Sequence, residues 1–276
     1  MVPAKGFIHV DIDPDVPGVA YPQAFTLPVQ ADASTFISAV LKKLPTKNAQ
    51  GQHLHAPRSA QPSPEPSADL KIRPEVLMEA IQRIAIEKHD CLIMAESGNS
   101  FTWATHYLRF TRAGRYRVST GVGSMGHFAA GVVGAAVAGK RTAVSIVGDG
   151  ALLMNNEIST AVKLGVPAVW VVLNDFRYNM CEQGMAVLGL QADAQIPAVD
   201  FGLLARALGA DGEVVTSELD LDRALDAAIT ARRPFVLDVR IDAACLAPSM
   251  GRNRSLRAQG IGAPSGGQDI SFPSRH

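Results

Sequence analysis

Hydrophobic positions in this chain follow two rhythms, and the alternation between them becomes regular only beyond residue 70. Short runs of β-branched and apolar residues read as strands. Stretches with apolar side chains three and four positions apart read as helices. The segment 142–179 shows this best: TAVSIV, then Gly148-Asp149-Gly150, an amphipathic helix, AVWVVL, and Asn174-Asp175. Upstream, the pattern predicts a helix over 74–89, a strand over 91–95, a helix from Trp103 to Phe110, an extended piece at 116–119 and a helix across FAAGVVGAAVAG. Downstream it predicts a helix over 200–208, a strand over 213–215, a helix over 220–232 and the strand FVLDVRI. Repeated β-α units with apolar strands argue an α/β fold, a parallel sheet with helices on both faces.

Before residue 70 the pattern is thinner. FIHVDI at 7–12 reads as a strand, and Phe36, Ile37, Val40, Leu41 and Leu44 give 34–44 one apolar side. Residues 45–69 are rich in Pro, Ser, Gln and Ala and nearly free of large apolar groups. Such a segment buries too little surface to offset its ordering entropy, so it reads as a linker, with His53 and His55 as solvated loop residues. The stretch after Ala247 reads as an irregular, partly mobile tail. The expected organisation is an N-terminal piece over 1–45, a linker over 46–70, the α/β domain over 71–245 and a tail over 246–276.

Composition narrows the functional classes. Of 276 residues 47% are apolar, and 26 basic residues balance 26 acidic ones. That balance gives no electrostatic case for nucleic acid or an anionic membrane as partner. Cys91, Cys181 and Cys245 are far apart and form no CxxC. This argues a reduced compartment, with neither a disulfide framework nor a zinc site. No apolar run reaches the ~18 residues of a membrane span, and the N-terminus lacks a signal-peptide core. A cytoplasmic globular protein is expected.

Two strands that end side by side in a parallel sheet bring Asp149 and Asp175 to the same edge. Two hard oxygen ligands beside a glycine turn and a helix N-terminus suit Mg²⁺ carrying a diphosphate. A rival motif lies upstream. Gly121-Val122-Gly123-Ser124-Met125-Gly126 matches GxGxxG before a helix, and Asp149 follows at roughly the 20-residue spacing of a ribose-binding acid. Against a dinucleotide site, the preceding RYRVST is polar for a buried central strand, and Asn174-Asp175 would have no role.

On these residues, 71–242 resembles the diphosphate-binding domain of the thiamine-diphosphate-dependent acetolactate synthase and pyruvate decarboxylase superfamily, in which GDG is followed at this spacing by Asn-Asn. Residues 6–44 resemble the tail of that superfamily's middle domain. The resemblance implies thiamine diphosphate and Mg²⁺ as cofactors. It gives Asp149, Asp175 and the main-chain carbonyl of Arg177 as metal ligands, Asp175 standing where an Asn is usual. It also assigns Gly98, Asn99 and Ser100 to the diphosphate, with Gly148, Gly150 and Ala151 around the first metal ligand. Gly123, Ser124 and Met125 belong to the cofactor loop, Met125 as the wedge between the two rings. Tyr178, Asn179 and Met180 line the diphosphate and thiazolium pocket. Gly184 takes the place of a Trp that restricts the acceptor. His127 reads as a packed or hydrogen-bonded residue, and Cys181 as a small apolar filler.

The activating glutamate of that superfamily lies in a pyrimidine-binding domain preceding the middle domain. Glu75, Glu79 and Glu87 sit on a surface-like helix and match no such motif. The resemblance therefore implies half an active site, completed by a separate subunit or by the rest of a longer gene, in a homo- or hetero-oligomer. The assembled enzyme would decarboxylate a 2-oxo acid and pass the fragment to a second carbonyl compound or to a proton. An NAD(P)-binding oxidoreductase using GVGSMG, and a non-catalytic remnant bound to a larger enzyme, are the alternatives.

Overall fold

The computed structural model describes residues 5–44, 66, 71–119, 121–187, 189–191 and 193–248. The linker and tail expectations fall almost wholly outside these residues. The chain divides into two compact units, one comprising residues up to Gln61 and from Met250, the other Pro62–Ser249.

In the first unit, β1 (Phe7–Asp11) pairs in parallel with β2 (Thr26–Gln30), Phe7 opposite Thr26. Strand β2 escapes the sequence pattern because Pro28 sits in a run of only five residues. Helix α1 (Ala33–Lys43) starts at Asp32, whose carboxylate accepts the Thr35 amide at 2.8 Å. No residue of α1 is buried.

The second unit is the expected α/β fold. Its elements are α2 (Pro74–Ile81), β3 (Leu92–Ala95), α3 (Asn99–Tyr107), β4 (Tyr116–Val118), α4 (His127–Gly139), β5 (Ala143–Gly148), α5 (Asp149–Met154) and α6 (Ile158–Leu164). Then come β6 (Ala168–Asn174), α7 (Asn179–Val187), α8 (Phe201–Ala207), β7 (Asp211–Val215), α9 (Leu221–Thr230) and β8 (Phe235–Arg240). The six strands run in the order β4-β3-β5-β6-β8-β7, every pair parallel. Strand pleating separates two cores. Val144, Ile146, Val169, Val171 and Leu173 pack with α2, α3 and α9 on one face. Ala143, Val147, Ala168, Trp170 and Val172 pack with α4, α6 and α8 on the other. Because β6 is buried along its whole length, it has no polar alternation to show.

Three sequence expectations need correction. The helix expected over 74–89 is α-helical only to Ile81 and continues as a π-helical stretch, Gln82–Lys88. Nor is α2 surface-like: Pro74, Val76, Leu77, Met78, Ala80 and Ile81 are all buried. The two glutamates in it drew attention from an apolar face that wraps most of the helix. The amphipathic helix after Gly150 is in fact two, α5 and α6, parted at Asn155-Asn156-Glu157. Asparagine side chains compete with the helical backbone for its hydrogen bonds there.

Candidate functional site

Strand register places the site. Gly148 at the end of β5 lies opposite Leu173 of β6, so Asp149 and Asp175 leave neighbouring strands at the same sheet edge. Both are buried. They border one cavity of about 300 Å³ at the C-terminal ends of the strands, the place where open α/β sheets bind ligands.

Asp149 opens helix α5. Its Oδ1 accepts the Gly150 amide at 2.6 Å and its Oδ2 the Phe176 amide at 2.8 Å. Burial pushes its pKa upward, and the main-chain amides of Gly150, Phe176, Arg177 and Asp175 pull back. Asp175 has less support. Its Oδ2 accepts from the Asn179 side chain at 2.6 Å. Burial, with the Asp149 charge acting in the same sense, pushes its pKa up to about 6 against the pull of Asn179 and Arg177. Asn179 also donates to the Ala243 carbonyl at 3.0 Å, tying the start of α7 to the segment after β8.

Thirteen of the residues that the resemblance assigned to the cofactor border this cavity: Gly98, Asn99, Ser100, Met125, Gly148, Asp149, Gly150, Ala151, Asp175, Arg177, Tyr178, Asn179 and Met180. Gly98 has φ +101°, and a Cβ built on it or on Gly148 would meet no protein atom within 4 Å, so both point toward open space. A Cβ on Gly150 would run into the Tyr178 ring, Cδ1 standing at 2.8 Å. Gly150→Ala is therefore expected to push Tyr178 out of place and cost roughly 1–2 kcal/mol, readable as a lower midpoint in urea. An unchanged midpoint and unchanged Tyr178 fluorescence would contradict this contact.

Gly123 and Ser124 are the exceptions. Neither borders the cavity, although the Gly123 carbonyl accepts the Ser97 hydroxyl at 2.7 Å. Ser124 is exposed. His127 is also exposed, its ring set edge to face with Phe128 at 4.7 Å between centroids. Cys181 is not a packed apolar filler. It is exposed and borders the cavity, because the first turn of α7 turns that side toward the opening.

Sequence reasoning gave Glu96 no role of its own, although it heads the segment Glu96-Ser97-Gly98-Asn99-Ser100 that resembles the diphosphate loop. It is fully buried, and Oε2 accepts the Phe128 and Ala129 amides at 2.8 and 2.9 Å while Oε1 accepts the Ser97 amide. It thus caps α4 from the end of β3 and fixes the α4 end of the loop carrying Met125. A carboxylate directly after an apolar strand was the available signal. Trp103, Ile241, Asp242 and Cys245 also border the cavity and were not foreseen, since only the fold brings them to it.

The dinucleotide alternative loses its premise in this sheet. The strand before GVGSMG, β4, is the outermost one, which is why its residues are polar.

Comparison with known proteins agrees with this geometry. Residues 96–239 match the family model for the thiamine pyrophosphate enzyme C-terminal TPP binding domain. The IlvB2 protein of Mycobacterium tuberculosis, which carries an acetolactate synthase large-subunit name, is 32% identical over 254 residues, 90% of this chain and 45% of its own length. The large subunit of acetolactate synthase isozyme 2 of Escherichia coli is 28% identical over 250 residues, 87% of this chain and 44% of its own. The mitochondrial acetolactate synthase catalytic subunit of Saccharomyces cerevisiae is 25% identical over 248 residues, 86% of this chain and 36% of its own. The chain spans less than half the length of these relatives. With more than half of its residues inside the family model and its sheet-edge cavity lined mostly by that segment, the chain belongs to the thiamine pyrophosphate enzymes, as a bearer of their C-terminal TPP binding domain.

Proposed function

We propose that this chain is the Mg²⁺-dependent, diphosphate-binding half of an acetolactate synthase-like 2-oxo acid decarboxylase or carboligase. The observation that carries the reading is the convergence of Asp149 and Asp175 on one cavity. Among the described residues no three His, Cys, Asp or Glu side chains gather as a metal site. The donor set that the family resemblance implies is two carboxylates and a main-chain carbonyl, that of Arg177. All three are hard oxygen ligands of the kind Mg²⁺ takes. Two buried acids side by side, one with its pKa lifted to about 6, are short of positive charge, and a divalent cation supplies it.

The remaining walls suit the rest of the cofactor. Gly98 and Gly148 leave room for close approach of a diphosphate, and the main chain around Asn99 and Ser100 opens helix α3 toward the cavity. The Asn99 Oδ1 is buried without a hydrogen-bond partner, as a polar atom awaiting a ligand or its hydration would be. Met125, Trp103 and Leu173 give the cavity its apolar side. Thiamine diphosphate, when bound, supplies the electron sink that 2-oxo acid decarboxylation needs. The chain's own part is to hold the metal, orient the diphosphate and keep water from the apolar side.

On this reading a pyrimidine-binding domain, from a partner subunit or from a longer form of the chain, completes the site, and residues 1–45 belong to a middle domain. The test is calorimetric titration of the full chain with thiamine diphosphate, with and without Mg²⁺, in the presence of a pyrimidine-binding domain. Magnesium-dependent binding at one site per chain is expected. Heat that is independent of Mg²⁺, or absent throughout, would defeat the proposal.

A further inference from the structure

Phe176, next to Asp175, has a conformation that its own chemistry does not favour. Its φ is +60°, in the left-handed region that a bulky non-glycine side chain rarely adopts. Something around it must hold it there. The conformation has a visible use: the Phe176 amide donates to Asp149 Oδ2 at 2.8 Å, fixing the carboxylate that the proposed function makes a metal ligand. The Phe176 carbonyl in turn accepts the Ile196 amide at 2.9 Å.

What lies against the ring is Arg240. Its guanidinium carbon sits 4.7 Å from the Phe176 ring centroid. The guanidinium is itself fixed, because Nη2 donates to Asp238 Oδ2 at 2.8 Å. Asp238 is fully buried and accepts also from the Asn174 side chain at 2.8 Å and the Phe201 amide at 2.9 Å. Asn174 and Arg240 are register partners on adjacent strands β6 and β8. The arginine therefore rises from the rigid sheet, not from a loop. A planar cation locked by a buried carboxylate and laid over an aromatic face is a specific clamp, and lysine could keep the charge without the flat surface.

We infer that Arg240 is a positioning residue for the metal site: it pins the Phe176 ring, which keeps residue 176 left-handed and its amide aimed at Asp149. This rests on the proposed role of Asp149 as metal ligand, but the linkage from Arg240 to the Phe176 amide stands apart from it. Two routes lead from Arg240 to the metal site, one through the Phe176 ring and one through Asp238 to Asn174, the neighbour of Asp175; only the first is lost when Phe176 is replaced.

The test uses the full chain with two readouts, neither of them turnover. The first is hydrogen exchange of the Phe176 amide without metal. The second is Mn²⁺ affinity by paramagnetic relaxation, Mn²⁺ standing in for Mg²⁺. Arg240→Lys keeps a cation beside Asp238, and Phe176→Gly removes the conformational strain together with the ring. In the otherwise unchanged chain, Arg240→Lys should speed Phe176 exchange and weaken Mn²⁺ binding, each by about three- to tenfold, the range expected for a lost cation–π contact. In the Phe176→Gly background the same substitution should change Mn²⁺ affinity less than twofold, because glycine needs no clamp. Unchanged amide exchange in Arg240→Lys overturns the inference. So does an equal loss of Mn²⁺ affinity in both backgrounds, which would mark a general structural role. If the unaltered chain binds no Mn²⁺, the metal-site reading fails while the exchange measurement still decides the Arg240 linkage.

Discussion

Replacing Asp149 by asparagine is expected to abolish magnesium-dependent binding of thiamine diphosphate, weakening it by more than about 100-fold. Removing mere supporting partners of metal ligands already costs about 10–100-fold. The substitution is nearly isosteric but chemically opposed to the site. Both Asp149 oxygens accept main-chain N–H groups, Oδ1 from Gly150 and Oδ2 from Phe176. An amide can present an oxygen to only one of them, and its NH₂ faces the other, donor against donor. One N–H then loses its partner in a buried place, which costs about 1–3 kcal/mol. Relief from burying a charge, the cause that raises the Asp149 pKa, offsets part of that. Fold stability should therefore change little while metal binding disappears. Circular dichroism melts alongside calorimetry with a pyrimidine-binding domain separate the two effects. Binding within threefold of the unaltered chain would remove Asp149 from the metal site.

The sheet was legible because β5 and β6 are apolar apart from Ser145 and the terminal Asn174, as parallel strands buried on both faces tend to be. The two acids were legible for a related reason. Strand ends in a parallel sheet share an edge, so the spacing between Gly148-Asp149 and Asn174-Asp175 already implied proximity. What sequence could not supply was the third dimension. Ile241, Asp242 and Cys245 reach the cavity only because β8 lies beside β6 although α7, α8, β7 and α9 intervene in the chain. Glu96 and Asp238 are charged residues whose meaning depends on which amides they meet, Phe128 and Ala129 for one and Phe201 for the other. Phe176 offered no signal at all. Nothing in a sequence marks a phenylalanine as left-handed until the arginine above it is seen.

Asp175 should make the chain less stable as pH rises, and Asp175→Asn should remove most of that loss. The folded-state pKa is raised from 3.8 to about 6, with burial the largest cause and the Asp149 charge adding to it. A carboxyl with a raised folded pKa binds its proton more tightly when folded, so between about 4 and 6 the folded chain holds more protons than the unfolded one. Stability then falls as pH rises through that window and levels off above it, by an amount on the order of 3 kcal/mol for a shift of about two units. Asparagine cannot ionise, and its side-chain oxygen can still accept from Asn179, whose amide now stands 2.6 Å from Oδ2. Urea midpoints of the metal-free chain at pH 4.5 and 7.5 test this. The unaltered chain should lose stability between the two, and Asp175→Asn should be flatter and more stable at the higher pH. Metal adds an opposite dependence, since the ionised carboxylate is the ligand. Mg²⁺ affinity of the unaltered chain should rise with pH up to about 6 and then plateau, more steeply than that of Asp175→Asn. A stability profile that stays parallel in the two proteins from pH 4.5 to 7.5 would mean that Asp175 is ionised in the fold at no cost. The argument that its buried charge awaits a cation would then fail.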